Sequence, residues 1–313
     1  MQNPREVLTP DALGLLQAVA QAGSFAAAAR ELGLVPSAVT YRVRQIEGAL
    51  DVLLFDRSSR QARLTAAGAE LLRSGEQLLQ QIDAVAQRVK RVATGWEAQL
   101  TIAVDTALSF GTVMELSDAF YQLAPTTRLR LREESLAGTL DALLSGHADL
   151  ALGVIVEPGN TPGVHSRVLG ELQFVFCVAP HHPLAAAKEP LKDEQLQGCR
   201  QVAVADSTQQ GTALTRGLLA GQDVFTVPTM RAKLDAQLRG LGGGYLPEPM
   251  VRPYVETGRL VVKKVERQNR TVRMHYAWCA RGSDSGRGLQ WWLKQLDSPT
   301  TRTALLERHR DPQ

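Results

Sequence analysis

The run Ser24-Phe-Ala-Ala-Ala-Ala-Arg-Glu-Leu32, Gly33-Leu-Val35, Pro36-Ser-Ala-Val-Thr-Tyr-Arg-Val-Arg-Gln-Ile-Glu47 predicts two short helices joined by a tight turn. Ser24 suits the cap of the first helix, and Ala26 to Ala29 give it a small-residue face that another helix can approach closely. Gly33 falls where a helix ends in a left-handed residue. Pro36 falls where the next helix can begin, because its missing N–H is not needed in a first turn. Such a pair is a helix-turn-helix, expected over 24–43, and its second helix can enter a major groove. Ala38, Val39, Val43 and Ile46 form the inward face of that helix. Ser37, Thr40, Tyr41 and Arg44 face outward, where base and phosphate contacts are made, and Ser24 and Pro36 at the two helix starts are counted with them. The other reading is an alanine-rich helical pair with an ordinary solvated face.

Leu53-Leu-Phe-Asp-Arg-Ser-Ser-Arg-Gln-Ala-Arg-Leu-Thr65 follows. It reads as a small hairpin turning at Ser58-Ser59 and carrying Arg57, Arg60 and Arg63. Over residues 36–63 five arginines (42, 44, 57, 60 and 63) stand against Glu47, Asp51 and Asp56 in a chain whose net charge is only +3. A case for a nucleic-acid partner therefore rests on this element and not on a whole-molecule field. Beyond it, Leu71, Leu78, Val85 and Val92 hold one heptad position, and Ile82 and Val89 the other. Gly68 and Gly75 fill that second position at the start, which weakens the seam. A helix in the expected linker segment, 66–94, cannot bury this stripe on itself. It is expected to pair with another chain, the alternative being its own domain.

From Gln99 onward short β-rich runs (100–104, 129–132, 150–154 and 174–178) alternate with helical stretches (113–123 and 136–144), which predicts parallel α/β units. The 313 residues fill two ordinary domains, and 44% apolar with 21% charged residues is a globular composition. No apolar run reaches the roughly 18 residues of a membrane helix, and the first six residues lack a secretory pattern. A cytoplasmic protein with no membrane partner is expected. Cys177, Cys199 and Cys279 lie far apart without metal or redox spacing, and read as small buried apolar residues. His181-His182 precedes Pro183 in what reads as a surface loop, a poor metal pair. Neither Gly-x-Ser-x-Gly nor His-Glu-x-x-His occurs. Gly240-Leu-Gly-Gly-Gly-Tyr245 reads as a turn needing positive φ, not a phosphate loop. No catalytic residue, metal site or cofactor is nominated, so the chain is not expected to be an enzyme.

Gly23-Ser-Phe-x-x-Ala-Ala28, Ser37-Ala-Val-Thr40, Ile46-Glu47, Leu54-Phe-Asp-Arg57 and Leu64-Thr-x-x-Gly68 stand in a specific order. In them residues 8–65 resemble the DNA-binding domain of the LysR-type transcriptional regulators. Pro180-His-His-Pro-Leu184 and Gly240-Leu-Gly-Gly-Gly-Tyr-Leu-Pro247 are later landmarks of that family. Pro36 stands where many relatives have Gln, and Tyr41 where they often have Arg, so the operator sequence does not carry over. The resemblance implies an all-α winged helix-turn-helix, a long linker helix and a two-lobed α/β effector domain over 97–298, like a periplasmic binding protein. Lobe one is expected at 97–165 and 268–298, lobe two at 166–267.

A small-molecule effector would lie between those lobes. By position it would meet Asp105, Thr106, Ala107 and Ser109 after the first strand and Gly153 and Val154 at the end of the third. In lobe two it would meet Asp206, Ser207, Thr208, Gly244 and Tyr245. Helix caps alone are a competing account of the Asp, Ser and Thr residues. Asp105 and Asp206 would repel a carboxylate if both were ionised. Hydroxyls and helix-start N–H groups there can bind an anion or a polar heterocycle, the two aspartates tilt the expectation toward a neutral or hydrogen-bond-donating ligand, and the resemblance points to a purine, nucleoside or aromatic compound. It also implies a homotetramer built as a dimer of dimers that bends promoter double-stranded DNA and contacts RNA polymerase. The rival is a small-molecule binding protein whose helical N-terminus only mediates oligomerisation. Lys263, Lys264, Arg267, Arg270 and Arg273 read as a solvated turn or an inter-subunit contact.

Overall fold

The computed structural model describes residues 3–56, 62–124, 126–156, 159, 161–208, 218–266, 270–279 and 286–309. The chain divides into two compact units, Met1–Val89 and Lys90–Gln313.

The first unit holds α1 (Pro4–Val7), α2 (Pro10–Ala22), α3 (Phe25–Glu31) and α4 (Pro36–Leu50). Strands β1 (Phe55–Asp56) and β2 (Arg63–Leu64) and most of α5 (Ala66–Thr94) complete it. Ser24 Oγ caps α3 by accepting from Ala27 N, and Gly33 takes φ 65° in the turn before Pro36. Ala28 and Ala29 are fully buried, because only a small-residue face lets α3 lie close against α2 and α4. Leu15, Leu16, Val19, Val39, Val43 and Ile46 complete that core. Glu47 was counted among the surface charges, but it is buried, and its Oε1 accepts from Leu54 N at 2.9 Å and Phe55 N at 3.4 Å. It fixes the start of the hairpin, whose strands pair Phe55 with Leu64 and Asp56 with Arg63.

Gly68 and Gly75 have a different role from the one their heptad position suggested. A Cβ on Gly68 would strike the Leu54 carbonyl, and one on Gly75 would lie 2.8 Å from Leu13 Cδ2. Both are places where α5 approaches its own unit closely. Beyond them Leu78, Ile82, Val85, Val89 and Val92 are exposed on α5, up to 82% at Val92.

The second unit runs β3 (Gln99–Asp105), α6 (Phe110–Leu123), β4 (Arg128–Glu134), α7 (Gly138–Leu144), β5 (Leu150–Val154) and β6 (Val164–Val178). It continues through α8 (Asp193–Gln197), β7 (Gln201–Val204), β8 (Val224–Val227), α9 (Met230–Leu238), β9 (Gly244–Pro247) and α10 (Glu248–Glu256). It closes with β10 (Val261–Lys263), β11 (Arg270–Cys279), α11 (Arg287–Asp297) and α12 (Pro299–Glu307). One sheet carries the order β10-β6-β11-β5-β3-β4, with β9 also on β6, while β7 and β8 form a parallel pair. β3 is parallel to β4 and β5, and its mostly apolar run, buried without a break from Leu100 to Asp105, is what a strand covered on both faces requires. This is the α/β fold with two lobes. β6 and β11 run through both lobes as one antiparallel ladder, with a register shift between Met274 and His275.

Helix α12 carries the packed body past Ser298, where the domain was expected to end. Leu305 and Leu306 are buried, Leu305 O accepts from Ser109 N at 2.8 Å, and Leu306 sits where a Cβ on Gly170 would lie 2.5 Å from its Cδ1. His182 is buried instead of lying in an open loop, because its Nδ1 accepts from Leu184 N to cap a 3-10 turn. Of the cysteines only Cys177 is fully buried; Cys199 and Cys279 are half-buried. The basic cluster is not one patch. Lys263 is buried and donates to Ala185 O and Ala187 O beside Glu189, Arg273 pairs with Glu171 at 3.1 Å, and Arg270 turns inward. Arg267 lies outside the described residues. Among the described residues no single helix is long and apolar enough to cross a membrane, and no group of His, Cys, Asp and Glu could hold a metal ion.

Candidate functional site

Two surfaces carry chemistry, one in each unit. In the first, α4 buries Val39, Val43 and Ile46 and turns Ser37, Tyr41 and Arg44 outward, which puts them on one stripe at helical spacing. Tyr41 is 64% exposed and does not pack into the unit's core. Thr40 is half-buried, and its Oγ1 donates to Pro36 O at 2.9 Å. Pro36 at the helix start is exposed, whereas the Ser24 hydroxyl is already taken by its capping bond. Arg63 is exposed on the hairpin; Arg57 and Arg60 lie outside the described residues. The arginines therefore project from a surface from which Glu47, the nearest carboxylate on α4, has been withdrawn.

In the second unit a cavity of about 220 Å³ lies between the lobes. Of the residues named from the sequence, Asp105, Thr106, Ala107, Asp206 and Tyr245 line it. Ser109 does not; it caps α6 by accepting from Thr112 N and donates to Arg308 O at 2.5 Å. Gly153 and Val154 are buried behind the cavity wall, which Ile155 forms instead. A Cβ on Gly153 would lie 2.6 Å from that of Asp105, and its φ is 86°. Ser207 ties the lobes together, accepting from Ser135 N at 2.8 Å and donating to Glu134 Oε2 at 2.7 Å. Thr208 donates its N–H to Asp206 Oδ1 at 3.0 Å, outside the lining. Gly244 lies behind Tyr245, and a side chain there would meet Val202 O at 3.0 Å and Lys233 Cε at 3.1 Å.

Electrostatics set the character of the cavity. Asp105 is 4% exposed, and burial raises its pKa to about 7. Hydrogen bonds from Ala107 N at 2.9 Å and Leu136 N at 3.2 Å oppose that rise, and the Asp206 charge adds to it. Sequence reasoning missed Lys233 and Arg270, both of which line the cavity. Lys233 is 6% exposed, and burial lowers its pKa to about 8. Arg270 lies 5.0 Å from the centroid of the Tyr245 ring, within cation–π range. A signal for Lys233 was present. Met230, Lys233, Leu234 and Gln237 share the buried face of α9, where two polar residues interrupt an apolar stripe. Phe174, Met230, Val272 and Met274 supply apolar walls.

With this geometry in hand, comparison with known proteins is specific. Residues 10–69 match the family described as bacterial regulatory helix-turn-helix protein, lysR family, and residues 93–298 match the LysR substrate binding domain. The chain belongs to the LysR family. YeeY of Escherichia coli (strain K12), an uncharacterized HTH-type transcriptional regulator, is 36% identical over 91% of this chain and 92% of its own. YhaJ of the same organism, a probable HTH-type transcriptional regulator, is 36% identical over 92% of this chain and 96% of its own. Among solved structures, full-length CbnR complexed with its target DNA matches with a TM-score of 0.60 at 18% identity, covering 92% of this chain and 99% of CbnR. LysR-type proteins are transcriptional regulators and not enzymes, and this chain joins their DNA-binding domain to their effector-binding domain.

Proposed function

We propose that this LysR-type regulator binds promoter DNA through α4 and the hairpin, and that a small molecule in the inter-lobe cavity changes that binding. The observation that carries the reading is the cavity itself. It is a mostly apolar cleft with a few convergent polar groups, set between lobes that share the β6–β11 ladder. Ser37, Thr40, Tyr41 and Arg44 are the proposed base and phosphate contacts of the recognition helix, with Arg57, Arg60 and Arg63 as phosphate contacts of the wing. The exposed stripe of α5 supports pairing of linker helices, and the full assembly is proposed as a dimer of dimers that bends DNA and contacts RNA polymerase. A ligand shifts that equilibrium only by its differential affinity for the two arrangements. The effector class proposed from the chain is a purine, nucleoside or other aromatic compound. Tyr245 and Phe174 give it ring surfaces, and a volume of about 220 Å³ suits one ring system, since an apolar cavity of about 150 Å³ holds benzene.

The test is recovery and sequencing of genomic fragments bound by the purified protein, beside a Thr40→Ala/Arg44→Ala variant. Discrete sites that the variant loses support the reading, and their neighbouring genes narrow the ligand. Sites retained in full by the variant would remove α4 from the contact.

A further inference from the structure

We propose that Lys233 and Arg270 form an oxyanion-holding pair in the inter-lobe cavity, so that the effector is a small organic anion: a carboxylate or phosphate carried on an apolar, ring-sized body. This rests on the reading of that cavity as the effector site, and it decides the charge of the ligand. The two aspartates tilt the sequence reading toward a neutral one.

The geometry reverses that balance. Asp105, whose charge carried the earlier expectation, is turned into the fold: Oδ1 accepts from Ala107 N and Oδ2 from Leu136 N, with Thr139 Oγ1 at 3.5 Å. Its carboxyl holds the loop after β3 to the end of β4. On the other wall stand two cations. Lys233 comes from α9, where Thr229 caps the helix start and Gly244 leaves room for its stem. Arg270 is the first residue of β11, its guanidinium carbon 5.0 Å from the Tyr245 ring centroid. Neither side chain makes an ion pair or a hydrogen bond with any described residue. A buried ammonium without a carboxylate partner is costly and normally paired. Here the groups facing it are Arg270 from β11, which repels it, and the Cys177 thiol from β6. Burial pushes that thiol up to about 12, so it stays protonated and brings no counter-charge. Asp105 and Asp206 line the same cavity from the ends of β3 and β7 without reaching either cation as an ion pair. The space beside the pair is the cavity, walled by Phe174, Met230, Val272 and Met274. Those walls exclude a bare inorganic ion as the best occupant, because they would bury no apolar surface against it.

The test uses the full-length protein and four probes at equal concentration and constant ionic strength: benzoate, phenyl phosphate, inorganic phosphate and benzamide, the neutral isostere of benzoate. Binding is read by calorimetry and by the shift in thermal midpoint. At least one organic anion is expected to bind about tenfold or more tighter than benzamide, as for one hydrogen bond to a charged group. It should also bind tighter than inorganic phosphate. Lys233→Met and Arg270→Gln should each erase that preference, and Arg270→Gln, at a half-exposed position, guards against loss by misfolding. Anion affinity should fall as pH rises past about 8, where Lys233 loses its proton. Benzamide binding as tightly as the anions, no anion preference in any probe, or a preference that survives both substitutions would overturn the pair. Inorganic phosphate binding as well as phenyl phosphate would overturn the organic body. Footprinting in the same samples separates this from the regulatory reading. An anion held through Lys233 that leaves the footprint unchanged removes that reading and leaves the pair standing, and a neutral probe that binds equally and shifts the footprint does the reverse.

Discussion

Replacing Lys233 with methionine should make the ligand-free protein more stable. Burial takes the Lys233 pKa from 10.5 to about 8, and each unit corresponds to about 1.4 kcal/mol. At pH 7 the ammonium is charged in both the folded and unfolded chains, so the folded state carries the whole penalty, about 3 kcal/mol. The unfolded chain holds more protons between pH 8 and 10.5, so wild-type stability should climb through that window as the folded amine goes neutral. Methionine keeps the length of the stem and removes the charge. In a unit of this size about 3 kcal/mol corresponds to roughly 6–12 °C in the thermal midpoint. The readout is clean because Trp96, Trp278, Trp291 and Trp292, the chain's only tryptophans, all lie in the second unit. Tryptophan fluorescence melts at fixed protein concentration, at pH 7 and pH 10, would therefore follow that unit alone. The expected result is a higher midpoint for Lys233→Met at pH 7 and a smaller difference at pH 10. A midpoint at pH 7 equal to or below wild type would refute the claim that an unpaired ammonium is held there against its solvation.

Three further outcomes are expected. Asp105 titrates in the opposite sense: its folded pKa of about 7 exceeds the ordinary 3.8, so stability is lost as pH rises from about 4 through 7, about 4 kcal/mol in all. Asp105→Asn should flatten that slope in urea midpoints taken between pH 5 and 8. Gly68→Ala should destabilise the first unit by about 1–3 kcal/mol, because the added methyl meets the Leu54 carbonyl. Helix propensity alone predicts a gain of about 1 kcal/mol, so the sign of the change in a circular-dichroism melt decides between them. Arg63→Ala should weaken DNA binding equally across sequences and lower the salt slope by about one unit; an unchanged slope would take the wing strand off the phosphate backbone.

The helix-turn-helix was legible because its signals are local. The Ser24 cap, the left-handed Gly33 and Pro36 at a helix start each act within a few residues. Glu47 belonged to the same motif, yet its inward turn depended on amide groups seven and eight residues on, which a charge count does not register. Gly68 and Gly75 were misassigned for a related reason: heptad spacing says which face a residue occupies, not what backbone a methyl there would meet. In the cavity, the family resemblance pointed to Asp105, Asp206 and Tyr245, which line it. Lys233 and Arg270 come from α9 and β11, and only tertiary packing brings them to one wall. The last helix could have been read from Pro299 and the run Ala304-Leu305-Leu306, an apolar patch following a helix-start proline.

That last helix has a practical side. Leu306 presses on Gly170, which pairs with Met274 at the point where the β6–β11 ladder slips register, and Ser109 is bonded to both Leu305 and Arg308. A fluorescent protein or affinity tag appended after Gln313 would load α12, which packs on the strand that joins the lobes, whereas one placed before Met1 would not. A C-terminal fusion would thus be a poor choice for purification and a good starting point for a ligand biosensor.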